Sequence, residues 1–287
     1  MNMKKVAIVG GGTMGRQIAL NAAIHGFDTT VNDSFPGVLE AVKAWSDKYL
    51  DGRVEKGKMS AEQAAAAKAR FHMEGDLAKA VADVDLVIEA VIENLDLKLE
   101  IFGKLDQFCR PEAILASNSS TFFPSQYNVA TKRPHKVIGM HYFNPALHMQ
   151  LLEVVMSDQV SGDTLAAVKE YGKATGKQVI VAAKEIPGFI VNNIFGGVTN
   201  AAWELLEGGY ASFEDIDTAA EKGLGHPMGP FRTMDASGLD TILSIRKSRH
   251  ALNPGKYPAP NKTLMDKVAK GEVGVKAGKG FYDYTKK

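Results

Sequence analysis

Four apolar residues, Val6 to Val9, run directly into Gly10-Gly11-Gly12-Thr13-Met14-Gly15, and a helical pattern through Ile18, Leu20 and Ile24 follows. A strand that feeds a helix through G-x-G-x-x-G has narrow options. Gly10 permits the tight turn, Gly12 leaves bare backbone that a pyrophosphate can approach, and Gly15 lets helix and strand pack closely. Thr13 and Met14 open the helix, whose N-terminal amides face the anion. Gly26 ends it, Thr29 to Val31 reads as a second strand, and Asp33 stands 18 residues beyond Gly15, where the acid for a ribose 2′-hydroxyl belongs. These features predict a dinucleotide site at the edge of a Rossmann-type, mostly parallel sheet. Asp33 would repel a 2′-phosphate and Ser34-Phe35 offers no adjacent Arg, so NAD is expected over NADP, with Arg16 the one residue able to upset this.

The next stretch, residues 36 to 70, reads as two helices, the second opened by a capping box of Ser60 and Gln63. The basic turn between them, Arg53 to Lys58, is either solvated surface or, through Lys56, a phosphate contact. Val84 to Ile88 is apolar enough to be covered on both faces, as in a parallel sheet. Ala90, Glu93 and Lys98 follow it at the ligand edge. Asp163 is expected to cap a helix that Gly176 ends, and Gln178 to Val181 to form another strand. Beyond Pro187-Gly188 the spacing turns helical: Phe189, Ile190, Ile194, Val198, Ala201, Ala202, Leu205 and Leu206. The division expected is therefore a Rossmann-type α/β domain over 1–186 and an all-α domain over 187–287.

Two polar residues interrupt apolar runs that otherwise read as buried strands. His141 follows Val137 to Met140, Glu153 lies within Leu151 to Val155, and Asn144-Pro145 between them can turn the chain so that carboxylate and imidazole meet. An unpaired buried charge is costly, so the two residues explain each other. A carboxylate beside His fixes one tautomer and stabilises the imidazolium formed when the other nitrogen takes a proton, which is what abstracting a hydroxyl proton during alcohol oxidation requires. A satisfied core histidine would look similar. Asn118, Ser119 and Ser120 favour the catalytic reading, because they cluster after the apolar run Ala113 to Ala116, where side chains line the crevice of an open α/β sheet.

A net charge of +1 with 23% charged residues argues against a nucleic-acid or anionic-membrane partner. The single cysteine, Cys109, excludes an internal disulfide and a cysteine-rich metal site, and no metal is expected. No apolar run approaches the ~18 residues of a membrane span, so a cytoplasmic protein is expected. The helix over 189–206 carries more apolar surface than a domain of about 100 residues can bury, which predicts a homodimer.

Taken together, VGGGTMG, DLVIEAVIEN, ILASNSS, KVIGMHYFNP, LLEVV, PGFIVNN, EDID, HPMGPF and KGFYDY give a chain that closely resembles the 3-hydroxyacyl-CoA dehydrogenase family, in particular its bacterial 3-hydroxybutyryl-CoA members. The resemblance covers essentially the whole sequence. It implies His141 as catalytic base, Glu153 as its partner, Ser120 as hydrogen-bond donor to the substrate oxygen and Asn192 as a further active-site group. It also implies NAD contacts from Asp33, Glu93, Lys98, Asn144, Lys276 and Ser120, an acyl-CoA substrate and, again, a homodimer. Leu147 to Gln150, Asn193 and Phe231 to Ser237 depart from the family's usual wording. A free hydroxy acid of the carnitine or gulonate kind is the alternative substrate, and a dinucleotide-binding protein without turnover the alternative class.

Overall fold

The computed structural model describes residues 3–255 and 257–285. The chain divides after Ile190 into two compact units. In the first, β1 (Lys5–Val9), α1 (Thr13–Ile24) and β2 (Asp28–Asn32) are followed by α2 (Val38–Glu55), α3 (Ala61–Ala69), β3 (Phe71–Met73), α4 (Leu77–Val81) and β4 (Leu86–Glu89). Then come α5 (Leu95–Phe108), β5 (Ile114–Ser117), α6 (Pro124–Tyr127), β6 (Val137–Tyr142), β7 (Leu151–Val155), α7 (Gly162–Ala174) and β8 (Gln178–Ala182). The eight strands form one sheet in the order β3-β2-β1-β4-β5-β6-β7-β8. Neighbours pair in parallel except β6 with β7, which run antiparallel. Strand order reverses between β1 and β4, and a doubly wound sheet opens its ligand crevice beyond the carboxyl ends at such a point.

Alternation along β1 shows why both faces must be covered. Val6 and Ile8 pack with Ile18 and Leu20 on one side, while Ala7 and Val9 pack with Phe102, Leu105 and Tyr127 on the other. Burying each larger side chain contributes about 1.5–3 kcal/mol, which no solvated face could match. Two glycines of the loop after β1 are required by the protein itself. Gly10 has φ +107°, and a Cβ there would lie 2.7 Å from the Ala90 carbonyl oxygen; one on Gly15 would meet the Gly10 carbonyl at 1.8 Å.

Helix ends follow local chemistry. Ser60 Oγ accepts from the Gln63 N–H and Gln63 Oε1 from the Ser60 N–H, which is the expected capping box. The cap of α7 is Ser161 rather than Asp163: the helix begins at Gly162 and Ser161 Oγ accepts from the Thr164 N–H, leaving Asp163 in the first turn.

In the second unit, α8 (Val191–Glu207), α9 (Phe213–Thr218), α10 (Pro230–Ser237), α11 (Leu239–Leu252) and α12 (Lys262–Ala269) make a helical fold. Among its described residues the only strand-like pairings are the isolated bridges Gly274 to Lys279 and Lys279 to Asp283. Trp203 sits edge-on to Phe231 and Phe281, with centroids 5.4 and 5.5 Å away. Two buried carboxylates tie this core together. Asp217 accepts from the N–H groups of Phe231 and Arg232 and from the Tyr282 hydroxyl; Asp235 accepts from the N–H groups of Phe281 and Tyr282 and from the Tyr284 hydroxyl.

Candidate active site

The antiparallel pairing of β6 with β7 sets His141 directly opposite Glu153. Side chains opposite each other on one face of such a pair are in contact range. His141 Nδ1 lies 2.9 Å from Glu153 Oε2, and the Ile190 N–H donates to Glu153 Oε1 at 2.6 Å. Both side chains are buried, and the His141 ring is bracketed by Phe143 and Phe189 at centroid distances of 4.6 and 5.3 Å. Because Glu153 accepts from the Nδ1 proton, Nε2 of the neutral ring is left as the acceptor. Ser120 Oγ stands 3.0 Å from that nitrogen.

The loop that carries Ser120 is held from several sides. The Asn118 N–H donates to the Glu89 carbonyl at 2.8 Å, and Asn118 Oδ1 accepts from the Tyr142 N–H at 2.9 Å, so the loop is stitched to the strand that bears His141. Glu93 Oε1 accepts from the Ser120 N–H at 2.6 Å, and both Glu93 oxygens accept from Ser119 Oγ, at 3.0 and 2.9 Å. Lys98, 1% exposed, donates to both Glu89 oxygens at 2.9 Å and approaches Glu93 Oε2 at 3.3 Å. Glu89 was not among the expected site residues. The one sign of it in the sequence is a carboxylate ending the apolar run Leu86 to Ile88.

The hairpin between β6 and β7 turns at Pro145, whose carbonyl accepts from the N–H groups of His148 and Met149 at 2.9 Å. The Lys177 ammonium braces it from beneath, donating to the carbonyls of Ala146 and Met149 at 2.6 and 2.8 Å. Asn144 is exposed at the start of this turn, with Oδ1 3.3 Å from Gln17 Nε2 on α1.

At the end of β1 the glycine loop passes a test that the protein alone does not impose. Gly12 has ordinary extended backbone (φ −65°), and among the described residues none beyond its chain neighbours has an atom within 4 Å of where its Cβ would stand. Neither conformation nor packing demands glycine there, but a phosphate approaching the backbone would. No side chain caps α1, and exposed Thr13 and half-buried Met14 begin it. Asp33 stands just beyond β2, its Oδ2 accepting from the Gly11 N–H at 2.7 Å. The residues present therefore fit a dinucleotide. Lys56 is exposed at the end of α2. Asn192 and Lys276 belong to the second unit: Asn192 lies on the first turn of α8, and Lys276 pairs with Asp240 at 2.7 Å. Among the described residues no group of His, Cys, Asp and Glu could hold a metal ion, and no helix is long and apolar enough to cross a membrane.

Known proteins match the chain over both of its units. Residues 5–186 match the 3-hydroxyacyl-CoA dehydrogenase NAD-binding domain family, and residues 188–284 match the C-terminal domain family of the same enzymes. A probable 3-hydroxyacyl-CoA dehydrogenase of Caenorhabditis elegans is 39% identical over 290 residues, covering 99% of this chain and 97% of its own. The 3-hydroxybutyryl-CoA dehydrogenase of Clostridioides difficile is 37% identical over 284 residues, covering 98% of this chain and all of its own. Among solved structures, the (S)-3-hydroxybutyryl-CoA dehydrogenase of Ralstonia eutropha superposes with a TM-score of 0.91 at 36% identity, covering 99% of this chain and 100% of its own.

Proposed function

The chain belongs to the 3-hydroxyacyl-CoA dehydrogenase family, and we propose that it interconverts short-chain (S)-3-hydroxyacyl-CoA, 3-hydroxybutyryl-CoA in particular, and the 3-ketoacyl-CoA. The observation that carries this reading is the hydrogen-bonded line from Ser120 Oγ through His141 to Glu153. In the oxidative direction His141 Nε2 takes the substrate hydroxyl proton. Glu153 holds the tautomer that leaves Nε2 free and stabilises the imidazolium that results. Ser120 donates to the oxygen on which negative charge develops, and Asn192 supplies a second polar group. The acceptor for the carbinol hydride would be supplied by bound NAD.

Gly10, Gly12, Thr13, Met14, Gly15 and Asp33 would hold the cofactor, with Glu93, Lys98, Ser120, Asn144 and Lys276 as further contacts, and Lys56 would meet a CoA phosphate. We assign cofactor binding to the α/β domain before Pro187, and part of the substrate cleft and the dimer contact to the helical domain after it. The cytoplasm is the proposed compartment.

The thioester is what separates this reading from a free hydroxy acid. Remote binding energy from the CoA moiety serves to orient the reacting carbon, so removing it lowers kcat as well as affinity. With NAD supplied, kcat/KM for (S)-3-hydroxybutyryl-CoA should exceed that for free 3-hydroxybutyrate by at least about 100-fold. Comparable or greater activity with free 3-hydroxybutyrate, carnitine or gulonate would contradict the proposal.

A further inference from the structure

The ion cluster behind the Ser120 loop has unequal charges: two carboxylates, Glu89 and Glu93, share the single ammonium of Lys98. Glu89 is fully buried. It takes Lys98 through both oxygens, and also accepts from Ser117 Oγ at 2.6 Å and from the Val91 N–H at 2.7 Å. The Tyr127 phenol beside it remains protonated, since burial first and the Glu89 charge next push its pKa up. A buried carboxylate met by an ammonium and two further donors is a fixed charge, and Glu93 then stands as surplus negative charge.

That surplus is aimed at the reacting centre. Glu93 accepts from the N–H of Ser120, and Ser120 Oγ touches the nitrogen of His141 that takes the substrate proton. The carbon losing the hydride must lie within near-attack distance of its acceptor, so the acceptor ring comes close to Ser120. A nicotinamide ring is positive when oxidised and neutral when reduced, so nearby surplus charge distinguishes the two forms.

We propose that Glu89, with Lys98 and Glu93, is a charge-setting unit that makes the site bind oxidised nicotinamide more tightly, relative to reduced, than a neutral cluster would. The inference rests on the dehydrogenase reading above and concerns the redox bias of the same site. Glu89 is a positioning residue in this scheme. It reaches the reaction through Lys98 and Glu93.

The discriminating quantity is the ratio of dissociation constants for NAD+ and NADH, measured by titrating each into the protein without substrate. Contacts to the ADP-ribose are common to both forms and cancel in the ratio. Glu89→Gln neutralises the cluster and should shift the ratio against NAD+ by about three- to tenfold, as expected for one unit charge at short range and intermediate dielectric. Glu93→Gln should shift it in the same direction; its side chain is 40% exposed, so this variant carries the test if Glu89→Gln fails to fold. Paired Glu89→Gln and Lys98→Met restores one surplus negative charge, and the ratio should return to the wild-type value. A structural role alone would weaken both forms equally in every variant, and an unmoved ratio would overturn the proposal. Failure of the wild-type protein to bind either form would instead overturn the dehydrogenase reading, and this inference with it.

Discussion

The Asp33 carboxylate is held on two sides, Oδ2 accepting from the Gly11 N–H and Oδ1 from the Phe35 N–H at 2.9 Å. A ligand phosphate arriving there would meet a fixed negative charge. The residue able to reverse that preference is engaged elsewhere, because the Arg16 guanidinium lies 4.6 Å over the Trp45 ring. Asp33→Ala should therefore narrow the ratio of kcat/KM for NAD to that for NADP by about tenfold or more, the worth of removing one close repulsion. Equal kcat/KM for both cofactors in the wild type would contradict the role given to Asp33. Asp33 is legible from its distance to the glycine loop, and His141 and Glu153 because each is a polar residue set against an apolar run. Glu89 occupies the same kind of position, yet its meaning depends on the turn from β4 into α5 that delivers Lys98 to it, which no spacing rule expresses.

Among the elements, apolar period marks the helices and local chemistry marks their ends, where the sequence can mislead. At α7 Asp163 resembles a cap, whereas Gly162 is already helical and Ser161 does the capping. The start of α10 depends on a longer connection. Asp217, 2% exposed on α9, accepts from the N–H groups of Phe231 and Arg232 and from the Tyr282 hydroxyl, so three chain segments meet on one carboxylate. A Cβ on Gly229 would lie 2.3 Å from the Asp217 carboxyl carbon, which ties that glycine to the same contact. Only the fold shows such a contact, since Asp217 is 14 and 65 residues from its Phe231 and Tyr282 partners. Asp217→Ala strands these donors and should destabilise the helical unit by about 2–4 kcal/mol. Trp203 lies in that core, so urea unfolding followed by tryptophan fluorescence in a Trp45→Phe background reads the loss. A midpoint unchanged from wild type would show that the carboxylate is not what holds α10.

For the whole molecule, a Rossmann-type, mostly parallel sheet is what the glycine loop and the buried strands predict, whereas strand β3 and the strand order emerge only in the fold, and the pairing of His141 with Glu153 is the one sequence sign of the antiparallel β7. Assembly is a separate matter. Helix α8 leaves Ile194 65% and Leu205 42% exposed, and the proposed homodimer would cover this apolar surface. Light scattering should accordingly return twice the 30.9 kDa chain mass, and a monomer at micromolar concentration would remove the dimer from the account. The dyad itself is tested most directly by steady-state oxidation of (S)-3-hydroxybutyryl-CoA with NAD, comparing wild type with His141→Gln and Glu153→Gln and measuring NADH affinity and melting temperature alongside. If His141 is the base and Glu153 its support, kcat falls by roughly 10² to 10⁴ in the first variant, the usual worth of a positioned base, and falls measurably in the second, while the fold and NADH affinity are retained. Near-wild-type kcat in both variants, or a loss fully explained by unfolding, would contradict the mechanism.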